Sequence, residues 1–417
     1  MASQLLEREQ HISWRQFNNY WASQSFAQAA GQVLNVGFPL IAAALLDLRP
    51  SEVAVTTSLQ FIPYLVVTPI AGIIVDRVNR IRLVMACHAL RAVLLALVGL
   101  LAANGSLSAL VLWLTVFLAG ALNALASVGT LALVPDLAPE GGLAKANSRL
   151  QLSMSITQVI GPSAAGLLLA ISGNLVFFAI ALAFGIAAAM IVRTRAREVQ
   201  KESGPADSWL ATIVAGARFV RRTTTLWVLL LQMTLFNLFE QAVITLFMLF
   251  ALRELDLDST QVGLVFGAGA IGSVAGAWLA PRFTSARGIS TILLLSTGLA
   301  SIAPCALPFV PQGSPIVSIA VSGLTFCFYG FGLTVFNVHS NTLRHELAPR
   351  ELQGRLAAVF RTSAFTSIAL GAALGGMLAE HIPFRTAIGT ACTGLVSAFV
   401  LFAILLTRAT SSTTSGP

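Results

Sequence analysis

Twelve stretches of roughly twenty or more mostly apolar residues follow one another along this chain, each long enough to carry a helix across the ~30 Å hydrocarbon core of a bilayer. In lipid every backbone N–H and C=O must be bonded within the protein, which leaves helices and closed barrels as the spanning structures. Runs of this length without strict alternation are helical. The spans are expected at 17–46, 53–75, 82–103, 107–134, 146–171 and 174–192, then at 225–252, 260–281, 289–310, 315–343, 355–380 and 384–407. With 56% hydrophobic and only 10% charged residues, a chain of 417 residues carries more apolar surface than a water-soluble globule can hide.

The net charge of +8 would point to nucleic acid in a soluble protein, but here the bases sit in short segments between the spans. One set of loops carries Arg77, Arg80, Arg82, Lys145, Arg149, Arg193, Arg218, Arg221, Arg222, Arg344 and Arg355, while the opposite set carries only Arg49, Arg253 and Arg385. Basic residues close to helix ends are retained in the cytoplasm, so both termini are expected on the cytoplasmic side of the inner membrane, among lipid and without nucleic acid. Residues 1–19 lack the apolar core and small-residue cleavage site of a removable signal peptide. The four cysteines, Cys87, Cys305, Cys327 and Cys392, fall inside apolar runs with no close pair and no ligand spacing, which predicts buried free thiols and no metal.

The expected organisation is a six-helix bundle over 1–192, a cytoplasmic linker over 193–224, a second six-helix bundle over 225–408 and a flexible tail over 409–417. Within the linker, residues 195–207 read as disordered, while 209–222 place an apolar face beside a basic end, as a helix lying on the inner leaflet would. Leu137-Ala138-Pro139 after Asp136 recurs as Leu347-Ala348-Pro349 after Glu346, 210 positions on and about half the chain. Parallel repeats of this kind are one of the two architectures of secondary transporters. The fold class is therefore an all-α integral membrane protein of twelve transmembrane helices in two pseudo-symmetric bundles.

Polar side chains are costly in lipid, so spans that carry stripes of them should face protein or water. The first span has Gln24, Gln28, Gln32 and Asn35 on one face; the fourth has Asn123, Ser127 and Thr130. The seventh has Asn237, Glu240 and Gln241, and the tenth has Thr334, Asn337 and Asn341. Every third span is the polar one, as a central aqueous cavity requires; amides that only join helices to one another are the alternative. Glu240 is the only carboxylate near the middle of a span. Loss of water penalises its charged form, which makes it the candidate to bind and release a proton. Arg91 lies about ten residues, roughly 15 Å, into the third span and needs a partner, expected to be an acid or backbone carbonyls at a bundle interface, with direct substrate contact the alternative. His88 and His339 read as packing residues first and as titrating groups second.

Gly72-Ile-Ile-Val-Asp76-Arg77-Val-Asn79-Arg80-Ile-Arg82 resembles the signature loop between the second and third helices of the major facilitator superfamily. The resemblance implies a cytoplasmic gate built on Gly72, Asp76, Arg77 and Arg80, with Asn79 and Ile81 departing from the usual pattern. Further stretches, 133–147, 216–222 and 346–355, are similar to the enterobactin-exporter-like branch, which includes macrolide and multidrug efflux proteins. Gly161-Pro162 with Gly166 resembles the fifth-helix antiporter motif, with Thr157 in place of one glycine. Asn35-Val-Gly-Phe-Pro39 resembles the end of a first-helix antiporter motif, but Gly31 stands where that motif has an acid.

The resemblance implies a secondary transporter that works by alternating access, has no cofactor and is a monomer. The expectation is proton-coupled efflux of a small amphipathic molecule, a drug-like compound or a siderophore. Facilitated diffusion or uptake of a metabolite fits the same fold, and a transport-dead sensor or scaffold is the rival of another class. An enzyme is disfavoured, since the sequence has no phosphate-binding P-loop, no His-Glu-x-x-His and no Gly-x-Ser-x-Gly motif.

Overall fold

The computed structural model describes residues 14–139, 142–194, 209–283 and 288–414. Helices α1 (Trp14–Leu40, continued by a π-helical turn to Leu45), α2 (Pro50–Arg77), α3 (Arg80–Ala103), α4 (Ala109–Leu137), α5 (Leu143–Ile171) and α6 (Leu175–Val192) form the first half. A short helix α7 (Trp209–Arg222) precedes the second half. That half is built from α8 (Thr224–Arg253), α9 (Ser259–Phe283), α10 (Ile289–Ile302, continued as a 3-10 turn to Phe309), α11 (Pro315–Leu347), α12 (Arg350–His381) and α13 (Phe384–Thr414). Among the described residues eleven helices are long and apolar enough to cross a bilayer. The twelfth, α2, runs 28 residues between α4 and α12.

The two halves repeat one scheme of helix neighbours. In the first, α1 packs on α5 and α6, α3 on α4 and α6, and α2 on α4. In the second, α8 packs on α12 and α13, α10 on α11 and α13, and α9 on α11. Two crossings join the halves, α2 on α12 and α5 on α9. Helices α1, α4, α8 and α11 each pack on one of the crossing helices, on α5, α2, α12 and α9 respectively.

The repeat reaches single residues. Helices α1 and α8 both end on Leu-Asp-Leu, Leu46-Asp47-Leu48 and Leu255-Asp256-Leu257. Both aspartates adopt the left-handed conformation, with φ of 46° and 51°, which a short polar side chain tolerates better than a branched apolar one. The following leucine N–H donates back in each case, Leu48 to Ala42 at 2.9 Å and Leu257 to Ala251 at 3.0 Å. Just before these caps, Leu40 and Leu249 are both fully buried, and each sits in the apolar core of the opposite half.

The contacts between halves gather at the helix ends remote from the termini. Ser58 Oγ donates to the Ala369 carbonyl at 2.9 Å, Ser163 Oγ to Gly263 at 3.3 Å, and Arg253 Nη2 to Leu48 at 2.6 Å. Ser51 also donates to Glu380. Near the α5–α9 crossing, a Cβ built on Gly263 would stand 2.9 Å from the Pro162 carbonyl oxygen, so only glycine allows that approach.

Two expectations change. Helix α7 is not only a surface helix: Val220 is fully buried, and a Cβ on Gly216 would meet the Arg355 carbonyl oxygen at 2.7 Å, so part of its apolar face is covered by α12. The supposed flexible tail begins as helix, because α13 continues to Thr414 and the first breaking residues are Gly416 and Pro417. The disorder expected over 195–207 lies outside the described residues.

Candidate functional site

Halfway along their helices, Arg91 of α3, Asn123 of α4 and Tyr64 of α2 form one chain of hydrogen bonds. Arg91 is 3% exposed and lays its guanidinium 3.8 Å from the ring centroid of Phe184. Its Nη1 donates to Asn123 Oδ1 at 2.8 Å, where a carboxylate or backbone carbonyl was the expected partner. Asn123 Nδ2 in turn donates to the Tyr64 hydroxyl. The Tyr64 ring then meets Phe365 of α12 at 4.1 Å between centroids, so the chain ends on the other half.

In the second half, midway along α8, Glu240 is half-buried and accepts a hydrogen bond from the Tyr329 hydroxyl of α11. Tyr329 stands edge-on to Phe326 at 5.9 Å. Among the described residues no Lys or Arg forms an ion pair with Glu240. The segment of α8 that carries it is closely gripped: a Cβ on Gly371 of α12 would lie 3.0 Å from Gln241 Cβ, and one on Gly375 would lie 2.8 Å from the Ala242 carbonyl oxygen.

The remaining amides share faces but not surroundings. Gln24 is buried, Gln28 and Gln32 are half-buried, and Asn35 is exposed and donates to Gln32 Oε1 at 3.4 Å. Asn237 and Gln241 are half-buried beside Glu240, with Gln241 donating to Thr245 at 3.4 Å. Asn337 and Asn341 are exposed, and Asn341 accepts from Arg344. His88 stacks on Phe184 and His339 bonds the Val335 carbonyl of its own helix, which leaves both as residues of the bundle interior.

At the end nearer the termini, Arg80 pairs with Asp136 at 2.6 Å and ties the start of α3 to the end of α4. Arg77 is exposed, while the side chains of Gly72 and Asp76 lie outside the described set. In the fifth-helix motif Gly161 and Gly166 serve different neighbours: Gly161 faces Gln32 of α1, and Gly166 faces Gly263 of α9, with 3.2 Å between a built Cβ and Gly263 Cα. All four cysteines are free; Cys305 on the 3-10 turn that continues α10 bonds the Ser301 carbonyl, and it lies near Cys392 of α13, a proximity their sequence spacing hides. No group of three or more His, Cys, Asp or Glu able to hold a metal occurs among the described residues.

The sequence reading did not single out Tyr64, Phe365, Tyr329 or Arg361. Arg361 is half-buried one turn before Phe365 on α12, within electrostatic range of Tyr64.

Comparison with known proteins agrees with this architecture. The chain is 28% identical over 367 residues to the multidrug efflux pump Tap of Mycobacterium tuberculosis, covering 83% of this chain and 84% of that protein. It is 21% identical over 382 residues to macrolide efflux protein A of Streptococcus pyogenes, covering 90% and 92%. Among solved structures it superposes on a bacterial homologue of the iron transporter ferroportin in its inward-facing state with a TM-score of 0.71, at 18% identity over 94% of this chain and 99% of that one. The profile of the Major Facilitator Superfamily matches residues 20–372, and the chain belongs to that superfamily of membrane transporters.

Proposed function

We propose that this transporter exports small amphipathic compounds from the cytoplasm in exchange for protons, by alternating access of a site between its two halves. The observation that carries the proton is Glu240: a half-buried carboxyl, midway along a membrane helix, bonded to a hydroxyl and not to a base. Such a group can change protonation without breaking an ion pair. Export is favoured by the likeness to Tap and macrolide efflux protein A, whose names state efflux. With the termini cytoplasmic in the inner membrane, as the placement of Arg and Lys favours, the sealed helix ends are the outer ones and the chain is in an inward-facing state. The cavity amides, among them Gln28, Gln32, Asn237 and Gln241, then offer hydrogen bonds to a bulky, weakly charged ligand, and a monomer suffices for the cycle.

The test is transport by the purified chain in proteoliposomes under an imposed pH gradient, with macrolide, dye and siderophore-like compounds. Gradient-driven movement that is lost in Glu240→Gln supports the exchange mechanism. Movement that ignores the gradient would instead mark a facilitator and remove Glu240 from coupling. No movement of any compound would favour a sensor or scaffold.

A further inference from the structure

The hydrogen-bond chain at mid-depth has a direction fixed by chemistry. Arginine can only donate, so Asn123 must turn its amide oxygen toward Arg91, and Nη1 lies 2.8 Å from it. That leaves the Asn123 NH₂ to donate to Tyr64, and the Tyr64 oxygen to accept. Two donors are left unspent: Arg91 Nε, which is buried without a partner, and the phenolic proton of Tyr64, for which no acceptor is found among the described residues. Tyr64 belongs to the first half and its ring lies against Phe365 of the second, with Phe61 stacked on the same Phe365 at 6.1 Å and 24°. The ring therefore stands where the two halves meet, beside an aromatic surface contributed by both, and its hydroxyl is held by Asn123 of the first half. Arg361, which also can only donate, is within electrostatic range of it and forms no ion pair with a carboxylate among the described residues.

We propose that Tyr64 is a hydrogen-bond donor in the wall of the substrate cavity, and that carried compounds place an acceptor oxygen, such as a ketone, ester or ether, against it and an apolar face against Phe61 and Phe365. Arg91 is a positioning residue in this scheme: buried behind Asn123, it touches no ligand and fixes which way the amide points. The inference rests on the transport reading above and narrows its substrate class from amphipathic to acceptor-bearing. A site built to donate discriminates against analogues that lack the acceptor, because the donor is then left unpaired in a low-dielectric wall.

The experiment is equilibrium binding to the full chain in lipid nanodiscs, using two matched probe pairs. One is a 14-membered macrolide with a ring ketone and its analogue with that ketone reduced to methylene; the other is a fluorenone and a fluorene carrying the same dialkylamino side chain. The wild type should prefer the carbonyl member of each pair by about 2- to 12-fold. Tyr64→Phe keeps the ring against Phe365 and should bring that ratio to about one, with the methylene members bound as before. Arg91→Met should also flatten the ratio, and Arg91→Lys, which still donates, should retain most of it. A Tyr64→Phe protein that keeps the preference, or a wild type without one, overturns the donor assignment and leaves the transport reading standing. A wild type that neither binds nor transports any of the four probes sinks both.

Discussion

A carboxyl in a membrane helix exchanges its proton only if its neighbours tolerate both of its forms, and the Tyr329 hydroxyl is such a neighbour for Glu240. It can donate to the carboxylate and accept from the acid. Tyr329→Phe preserves the ring and its edge-on contact with Phe326 but removes that donor. Gradient-driven transport should then fall about tenfold, with substrate affinity and melting temperature nearly unchanged. An unaltered rate across the pH range would take Tyr329 out of the mechanism. Glu240 stands out in the sequence because an acid flanked by apolar residues has no reading compatible with lipid contact. Tyr64, Phe365 and Tyr329 do not, since an aromatic in a membrane helix fits a lipid-facing position as well as a cavity wall. The amides of α1 mark the limit of periodicity: one face is legible, yet Gln24 at one end of it is buried and Asn35 at the other is exposed.

Helix α8 carries Glu240, and its position depends on how closely α12 can approach. Gly371 and Gly375, one turn apart, bring the α12 backbone against α8 on either side of that residue, at the Leu238 carbonyl and at the Ala242 carbonyl. A methyl at Gly371 would fall on the α8 backbone itself, which cannot yield as a side-chain tip can. Gly371→Ala is therefore expected to cost about 1–3 kcal/mol, read as a lower melting temperature in detergent, and to impair gradient-driven transport beyond what the lost stability explains. Recovery of transport by a compensating Gln241→Ala would not be expected, because the obstruction is main chain; full recovery would place the strain in the side chain instead. Helix existence and approximate ends were legible, since a lipid core demands some twenty apolar residues and the polar loops mark the breaks. Which helices cross between halves was not. Glycines read alike in sequence, whereas Gly161 admits α1 and Gly166 admits α9 of the other half.

Across the whole molecule, the two halves are held by an exchange that the repeat makes mutual: Leu40 enters the core of the second half, and Leu249 that of the first. Both lie just before the matching Leu-Asp-Leu caps, at the sealed end, where Arg253 also binds the Leu48 carbonyl. Opening this end must withdraw both leucines, so they stabilise the state seen here relative to its alternative. Leu40→Ala or Leu249→Ala should each remove about 2 kcal/mol of that preference, a shift of roughly 30-fold in the ratio of closed to open populations. Spin labels at exposed Ala44 and Asp258, one on each half near this end, would report it as growth of a longer-distance population. Because the two sites belong to equivalent positions of the repeat, the single variants should shift the distribution by similar amounts. If the leucines act as separate plugs, the double variant should show the product of the two shifts. If they act as one latch, releasing either already frees the end, and the double variant should move little beyond the singles. A distribution unmoved by both would mean that the crossings of α2 with α12 and α5 with α9 hold this end shut without them.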